Sequence, residues 1–279
     1  MLLGLILLGI GLFGFGLAGY LDLRYTEFPD WLPYSMIILA LLVRGIFSFL
    51  ENDWWVIGNS IFVGVIFLCL GLAMYLLKQW GDGDAWLLGA LGFLFPDTSG
   101  FAAKHVLPFP LTLLFNFFLV SLIYLIAYSL FLGWRNREIG KLYLSYLKGQ
   151  SKILVFLIAL FFVVSWGSVF YFYSVFHTPL ELTIPMLFLP FLLVFVLLFI
   201  FYTKVIEERV FRKRINVRDL KVGDVILDGR WRGLREEEIE EIKSRRKYVW
   251  IKEGVRFAPV FLFVMLISIF YGDIIIILI

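Results

Sequence analysis

The chain is poor in the residues that staple a fold or hold a metal. Cysteine occurs once, at Cys69 within an apolar run, so no disulfide can form inside the chain and no thiolate zinc site can be built. Cys69 itself reads as a small buried hydrophobe. Histidine occurs twice, at His105 and His177, each between apolar runs, which argues against a metal pair. No metal or other cofactor is expected, and no nucleic-acid partner. Charge is scarce too, with Asp, Glu, Lys and Arg making up 17% of 279 residues. The formal net charge of +3 says less than its placement, because the charges sit in a few loops and one block toward the C-terminus.

What is abundant is apolar surface. Hydrophobic residues make up 61% of the chain and the mean hydropathy is +0.92, whereas soluble domains average about 45–50% apolar residues. Apolar stretches of about 18 or more residues recur, and a hydrocarbon core of about 30 Å needs roughly 20 residues per helix. The pattern predicts an all-α polytopic membrane protein of about eight transmembrane helices, with a small α+β cytoplasmic insertion before the last. The helices are expected near 2–21, 33–50, 55–77, 84–96, 111–133, 153–173, 183–203 and 258–278. The first has no basic flank and no small-residue cleavage site before Tyr20, so it reads as a transmembrane helix and not a signal peptide. The fourth, from Gly83 to Pro96, is too short for a full bilayer. Either it begins near Trp80 or the loop before it dips into a recess shielded by protein or water.

Basic residues set the orientation. With residues 21–32 in the cytoplasm, the inside segments hold Arg24, Lys78, the group Arg135, Arg137, Lys141, Lys148 and Lys152, and the block from Lys204 to Arg256. The outside loops then hold only Lys104. Both termini fall outside, in agreement with an even helix count. Arg44, the one basic residue inside a span, has two readings: snorkelling to the outer interface about two turns away, which is favoured, or an internal ion pair.

Four segments follow from this reading: 1–110, 111–203 with additional transmembrane helices, 204–256 as a cytoplasmic soluble part, and 257–279 as the C-terminal transmembrane helix. In the soluble part, Val222 to Leu227 reads as a strand and Tyr248 to Ile251 as a second. Between them, Leu234 to Lys247 reads as a helix with Leu234, Ile239 and Ile242 on one side. Its acidic start (Glu236, Glu237, Glu238) and basic end (Arg245, Arg246, Lys247) suit the helix dipole. About fifty residues make a marginal core, so this part is expected to lean on the membrane helices, as a docking surface or as a lid.

Two polar segments stand out at the cytoplasmic boundary. One is Asp22-Leu23-Arg24-Tyr25-Thr26-Glu27-Phe28-Pro29-Asp30-Trp31-Leu32, directly after the first span. The other is Gly81-Asp82-Gly83-Asp84, directly before the fourth. A lone aspartate beside a span is ordinarily a helix cap, and a lone Gly-Asp-Gly-Asp is ordinarily a turn. Together on one membrane face they suit two-carboxylate hydrolysis: one carboxylate takes a proton from water while the other, protonated, polarises a carbonyl. Carboxylates about 3 Å apart cannot both ionise. The glycines are expected to give the backbone conformations closed to other residues and to admit a close substrate strand.

The order Asp-Leu-Arg-x-x-x-Phe-Pro-Asp-Trp-Leu, one helical hairpin, then Gly-x-Gly-Asp and a short apolar helix resembles the GxGD aspartyl peptidases of the type IV prepilin peptidase group. The likeness is closer to the archaeal branch, the preflagellin and archaeal prepilin peptidases. The run from Ala85 to Phe93-Leu94-Phe95-Pro96 and the stretch Ile251-Lys252-Glu253-Gly254-Val255-Arg256-Phe257-Ala258-Pro259 fit that branch. The resemblance implies catalytic roles for Asp22 and Asp84 and a supporting one for Asp30, and the neighbouring Gly81, Asp82, Gly83 and Glu27 are expected to support the site or bind substrate. It implies a membrane aspartyl endopeptidase that removes leader peptides at the cytoplasmic face. The implied partners are type IV pilin-like or flagellin-like precursor proteins, within the lipid bilayer. Glu27, Asp30 and Asp82 are expected to attract the basic residues of such leaders.

The chain also departs from the pattern. Many members carry a lysine where Trp86 stands. Many bacterial members have a cysteine-rich zinc segment and methylate the new N-terminus, and with one cysteine no methylation is expected. The spans within 111–203 exceed the usual six-helix arrangement. A presenilin- or signal-peptide-peptidase-like protease would carry its first aspartate after a tyrosine, inside a helix, whereas Asp22 follows Leu21 at a span end. A proton- or cation-coupled transporter would carry its carboxylates near the bilayer midplane, and these lie at the edge.

Overall fold

The structure, a computed structural model, describes residues 2–98, 100–101, 105–177, 187–220, 224–227, 234, 236–252 and 254–274. The chain divides into two compact units, one of Met1–Ile126 with Glu253–Ile279 and one of Ala127–Lys252.

The first unit holds helices α1 (Leu2–Tyr25), α2 (Trp31–Glu51), α3 (Trp55–Leu76), α4 (Asp82–Leu94), most of α5 (Phe109–Arg135), and a last helix, Pro259–Phe270, numbered α10 below. At 1.5 Å per residue the first three are about 32–36 Å long, enough for a hydrocarbon core. Helix α4 is only about 20 Å long by the same rise. It is apolar on every side, and Ala85, Leu87, Leu88, Ala90, Leu91 and Leu94 are fully buried. A helix of that kind belongs inside a bundle, and α4 packs mainly on α3 and also on α2, α1 and α10.

Close approach explains the α3–α4 contact. Lipid competes equally for apolar side chains, so helices in a membrane associate where small residues let backbones meet. A Cβ on Gly71 of α3 would lie 2.6 Å from the Ala85 carbonyl oxygen, and one on Gly92 of α4 would lie 3.1 Å from the Cα of Gly64. The last carbonyls of α4, which a short helix leaves without intrahelical partners, are met by side chains. The Ser60 hydroxyl donates to the Phe93 carbonyl at 2.6 Å, and Nη2 of Arg44 donates to the Leu94 carbonyl at 3.0 Å. Arg44 is fully buried, and its Nη1 also lies 3.0 Å from a carboxylate oxygen of Asp97. This overturns the favoured snorkelling reading: the guanidinium points inward because the end of α4 offers a carbonyl and a carboxylate there.

Helix α10 ends well before the sequence pattern ends. Gly272 takes a left-handed φ of 93° and its N–H closes back on the Ile267 carbonyl. Asn116 of α5 then holds the turn, donating to Ser268 Oγ at 2.9 Å and to the Gly272 carbonyl at 2.8 Å while accepting the Ile274 N–H at 3.1 Å. The expected span 258–278 is thus observed as Pro259–Phe270, with residues 275–279 outside the described residues.

The second unit holds the end of α5, then α6 (Arg137–Gly149), α7 (Ser151–Phe176) and α8 (Leu189–Ile206), which runs on through a π-turn, Glu207–Phe211. Helix α6 was not expected. Its Asn136 cap accepts the Glu138 N–H, and it sets Ile139 against Val205 and Ile206. A three-stranded antiparallel sheet follows, with strands β1 (Arg212–Asn216), β2 (Val225–Ile226) and β3 (Tyr248–Lys252) in the order β1-β3-β2. Helix α9 (Glu236–Arg245) packs Ile239 into a small core with Val217, Leu220, Ile226 and Val249. The two expected strands and the helix between them are observed, and the part of the first expected strand at 222–223 lies outside the described residues. Strand β1, rich in Arg and Lys, had no apolar alternation to announce it.

Among the described residues, six helices are long and apolar enough to cross a membrane: α1, α2, α3, α5, α7 and α8 with its π-turn. The segments α4 and α10, counted as spans from the sequence, are shorter. Cys69 faces outward from α3 and is exposed, which corrects its reading as a buried hydrophobe.

Candidate active site

The α1–α2 and α3–α4 connections of the first unit carry the two aspartate motifs within electrostatic reach of one another. Helix α1 ends at Tyr25, followed by Thr26 with a φ of 66°, whose N–H donates to the Asp22 carbonyl at 2.8 Å. Asp22 lies in the last full turn and is buried, with 5% of its surface exposed. The chain segment leading into α10 crosses this helix end. Its Ala258 N–H donates to Asp22 Oδ2 at 2.9 Å, and Arg256 Nη1 donates to the Leu23 carbonyl at 2.7 Å. The Tyr124 hydroxyl of α5 donates to the Arg256 carbonyl at 2.5 Å and so ties down the same segment.

Helix α4 starts at Asp82, with Gly81 as its extended N-cap (φ −72°, ψ 158°). Asp84 is the third residue of the helix, and its carboxylate accepts the Gly81 N–H, the reach-back of a capping box. Asp84 is therefore a cap, and it also lies within electrostatic reach of Asp22. The helix start favours negative charge there.

The glycines act differently from expectation. Gly81 has an ordinary extended backbone and Gly83 is helical, so neither uses a conformation closed to other residues. What matters at Gly83 is the missing side chain, since a Cβ there would lie 2.6 Å from Phe28 Cζ. Phe28, from the α1–α2 connection, thus packs directly onto the first turn of α4.

A second acidic group flanks the pair. Asp30, at the start of α2 but forming no side-chain cap, is exposed and acts electrostatically on Asp82. Partial desolvation and the Asp30 charge push the Asp82 carboxyl up from its ordinary value, against the indole N–H of Trp86, which donates to it. Trp86 in turn packs edge-on against Tyr34, with ring centroids 4.6 Å apart. Where relatives of the resemblance carry a lysine, this chain therefore offers Asp82 a neutral donor. Glu27 lies exposed in the same α1–α2 connection.

Asp22 thus acts electrostatically on Asp84, and Asp30 on Asp82. Sequence reasoning passed over Phe28 as a packing partner of Gly83, and Arg256 and Ala258 as partners of the Asp22 region. The last two are more than two hundred residues from Asp22, and no local spacing announces such a contact. Among the described residues, no three His, Cys, Asp or Glu side chains are grouped as a metal ion would need.

A buried carboxylate at a helix end and a second at the start of a short buried helix, with apolar helices around both, make up the candidate site. Among known proteins, residues 9–130, which include both aspartates, are similar to the Type IV leader peptidase family, whose sequence model they match. The chain is 30% identical over 131 residues to the prepilin peptidase EppA of Methanothermobacter thermautotrophicus, an alignment covering 43% of this chain and 34% of that protein. It is 36% identical over 75 residues to the preflagellin peptidase of Methanocaldococcus jannaschii, covering 27% of this chain and 32% of that one. The matched stretches span about a third of the length of these relatives. No solved structure matches. The likeness read from the two motifs is thus found over the part of the chain that carries them.

Proposed function

We propose that the chain is a membrane aspartyl endopeptidase that removes the leader peptides of prepilin- or preflagellin-like precursors at the cytoplasmic membrane face. The observation that carries this reading is the electrostatic contact of Asp22 with Asp84 inside the stretch matching the Type IV leader peptidase family. The names of the two relatives, a prepilin and a preflagellin peptidase, support the substrate class.

The chemistry needs one proton shared by two carboxyl groups. The ionised carboxylate takes a proton from water as the water oxygen attacks the scissile carbonyl carbon. The protonated carboxyl gives its proton to the carbonyl oxygen, forming a tetrahedral diol. The proton taken from water then passes to the leaving nitrogen as the C–N bond breaks, and the second carboxylate recovers its proton from a diol hydroxyl. The site at a membrane edge suits a peptide bond just before an apolar helix, and Asp30, Asp82 and Glu27 suit a basic leader.

Co-expression with a prepilin-like substrate tests the reading. Asp22→Asn and Asp84→Asn are each expected to abolish cleavage while the protein still inserts and folds. Wild-type cleavage by either variant would remove the pair from the mechanism.

A further inference from the structure

Two carboxyl groups that share a proton must be told apart, since one works ionised and the other protonated. Their surroundings here are unequal. Asp22 Oδ2 accepts the Ala258 N–H at 2.9 Å, and the Phe257 N–H also acts on its carboxylate. The Arg256 guanidinium adds an attractive charge, and its Nη1 is held on the Leu23 carbonyl, one residue from Asp22, at 2.7 Å. Burial and the repulsion between the two carboxylates bear on both groups and do not tell them apart. Donors and a cation favour an ionised carboxylate, and Asp22 has two backbone donors and Arg256 where Asp84 has the Gly81 N–H.

The other charges nearby do not reverse this inequality. Arg24, on α1 itself, is exposed and donates to the Tyr20 hydroxyl at 2.7 Å. Asp30, at the start of α2, acts on Asp82, at the start of α4. The segment carrying Arg256 is firmly placed, because Tyr124 holds its carbonyl and Pro259 seats its Cα where a Cβ on Gly19 would lie, 3.1 Å away.

We propose that Arg256, together with the Ala258 N–H, holds Asp22 in the ionised role and leaves the shared proton on Asp84. Arg256 is then a positioning residue for the pair: Asp22 takes the proton from water, and Asp84 donates to the scissile carbonyl. This rests on the aspartyl-peptidase reading, whose own test is the pair of Asn variants above.

The experiment is the pH dependence of kcat/KM for a prepilin-like peptide, using the full chain in detergent with wild type, Arg256→Gln, Arg256→Lys and Tyr124→Phe. The acidic limb reports loss of the ionised carboxylate, and the limbs belong to the coupled pair. Removing the cation makes Asp22 easier to protonate, so Arg256→Gln is expected to move the acidic limb upward by about one pH unit. That is about a tenfold loss below the limb, with little loss on the plateau. Arg256→Lys keeps the charge and is expected to stay with wild type. Tyr124→Phe loosens the segment without changing charge, and is expected to lower the plateau with the limb unmoved. If Arg256→Gln scales the whole profile without moving the limb, Arg256 only anchors the chain to Leu23 and the proposal falls. If Arg256→Gln does not fold, Arg256→Lys decides alone, since a shifted acidic limb in a folded Lys variant overturns the proposal. Cleavage retained by Asp22→Asn would instead sink the peptidase reading itself.

Discussion

At Gly83 the smallest side chain in the protein meets one of the bulkier ones. The Phe28 ring occupies the space that any Cβ at position 83 would need, one residue before Asp84. Alanine is the better helix former by about 1 kcal/mol, yet an added methyl in a packed contact costs about 1–3 kcal/mol when neighbours must move. The two nearly offset, so Gly83→Ala is expected to change the melting temperature in detergent little. Cleavage is expected to fall by roughly tenfold because the Phe28 ring and the first turn of α4 separate. Adding Phe28→Leu to that variant is expected to recover part of the loss. Full activity in Gly83→Ala alone would show that this packing does not govern the placement of Asp84.

At the scale of elements, α4 has its acidic end at the site and its carbonyl end in a polar clamp. Arg44 is buried and donates to both the Leu94 carbonyl and Asp97, whereas the Asp97 side chain is 41% exposed. Removing the guanidinium uncaps α4 and leaves its last carbonyl without that donor. Removing the half-exposed carboxylate leaves a cation that still has carbonyl partners. Breaking a buried pair from its buried side costs roughly 3–5 kcal/mol, and the exposed partner contributes less. Arg44→Met is therefore expected to lower thermal stability in detergent clearly more than Asp97→Asn does. The reverse order would remove Arg44 from the role of helix clamp.

Most of this architecture was legible in the sequence because it is local. Apolar runs of span length announce α1, α2, α3, α5, α7 and α8, and the acidic-to-basic order of residues 236–247 announces α9. The likeness to the Type IV leader peptidase family was legible through motif spacing. Arg44 was misjudged because hydropathy reports a charge inside a run without reporting which neighbour meets it. The partners at the end of α4 follow only from how the helices pack. The Ala258 contact to Asp22 was invisible for a related reason, since a backbone N–H donor leaves no mark on the sequence.

For the whole molecule, the first unit is closed by a segment that returns after all of Ala127–Lys252 has been made. Its site depends on which side of the membrane the α1–α2 and α3–α4 connections face. Basic residues favour the cytoplasm, and α3 separates Glu51 at one end from Gln79 at the other by about 33 Å, a membrane thickness. The sole thiol, Cys69, faces outward from α3, so Cys69→Ser gives a clean background for single-cysteine labelling. In that background, Glu51→Cys is expected to react with a membrane-impermeant maleimide in intact cells. Gln79→Cys is expected to react only once the membrane is opened. Both positions are exposed, so failure to label reports sidedness and not burial. Leader peptides that are cut before export can reach Asp22 and Asp84 only if Gln79 is on the inner side. Labelling of Gln79→Cys in intact cells, with Glu51→Cys protected, would put the two aspartates on the outer face and end the assignment of cytoplasmic leader removal.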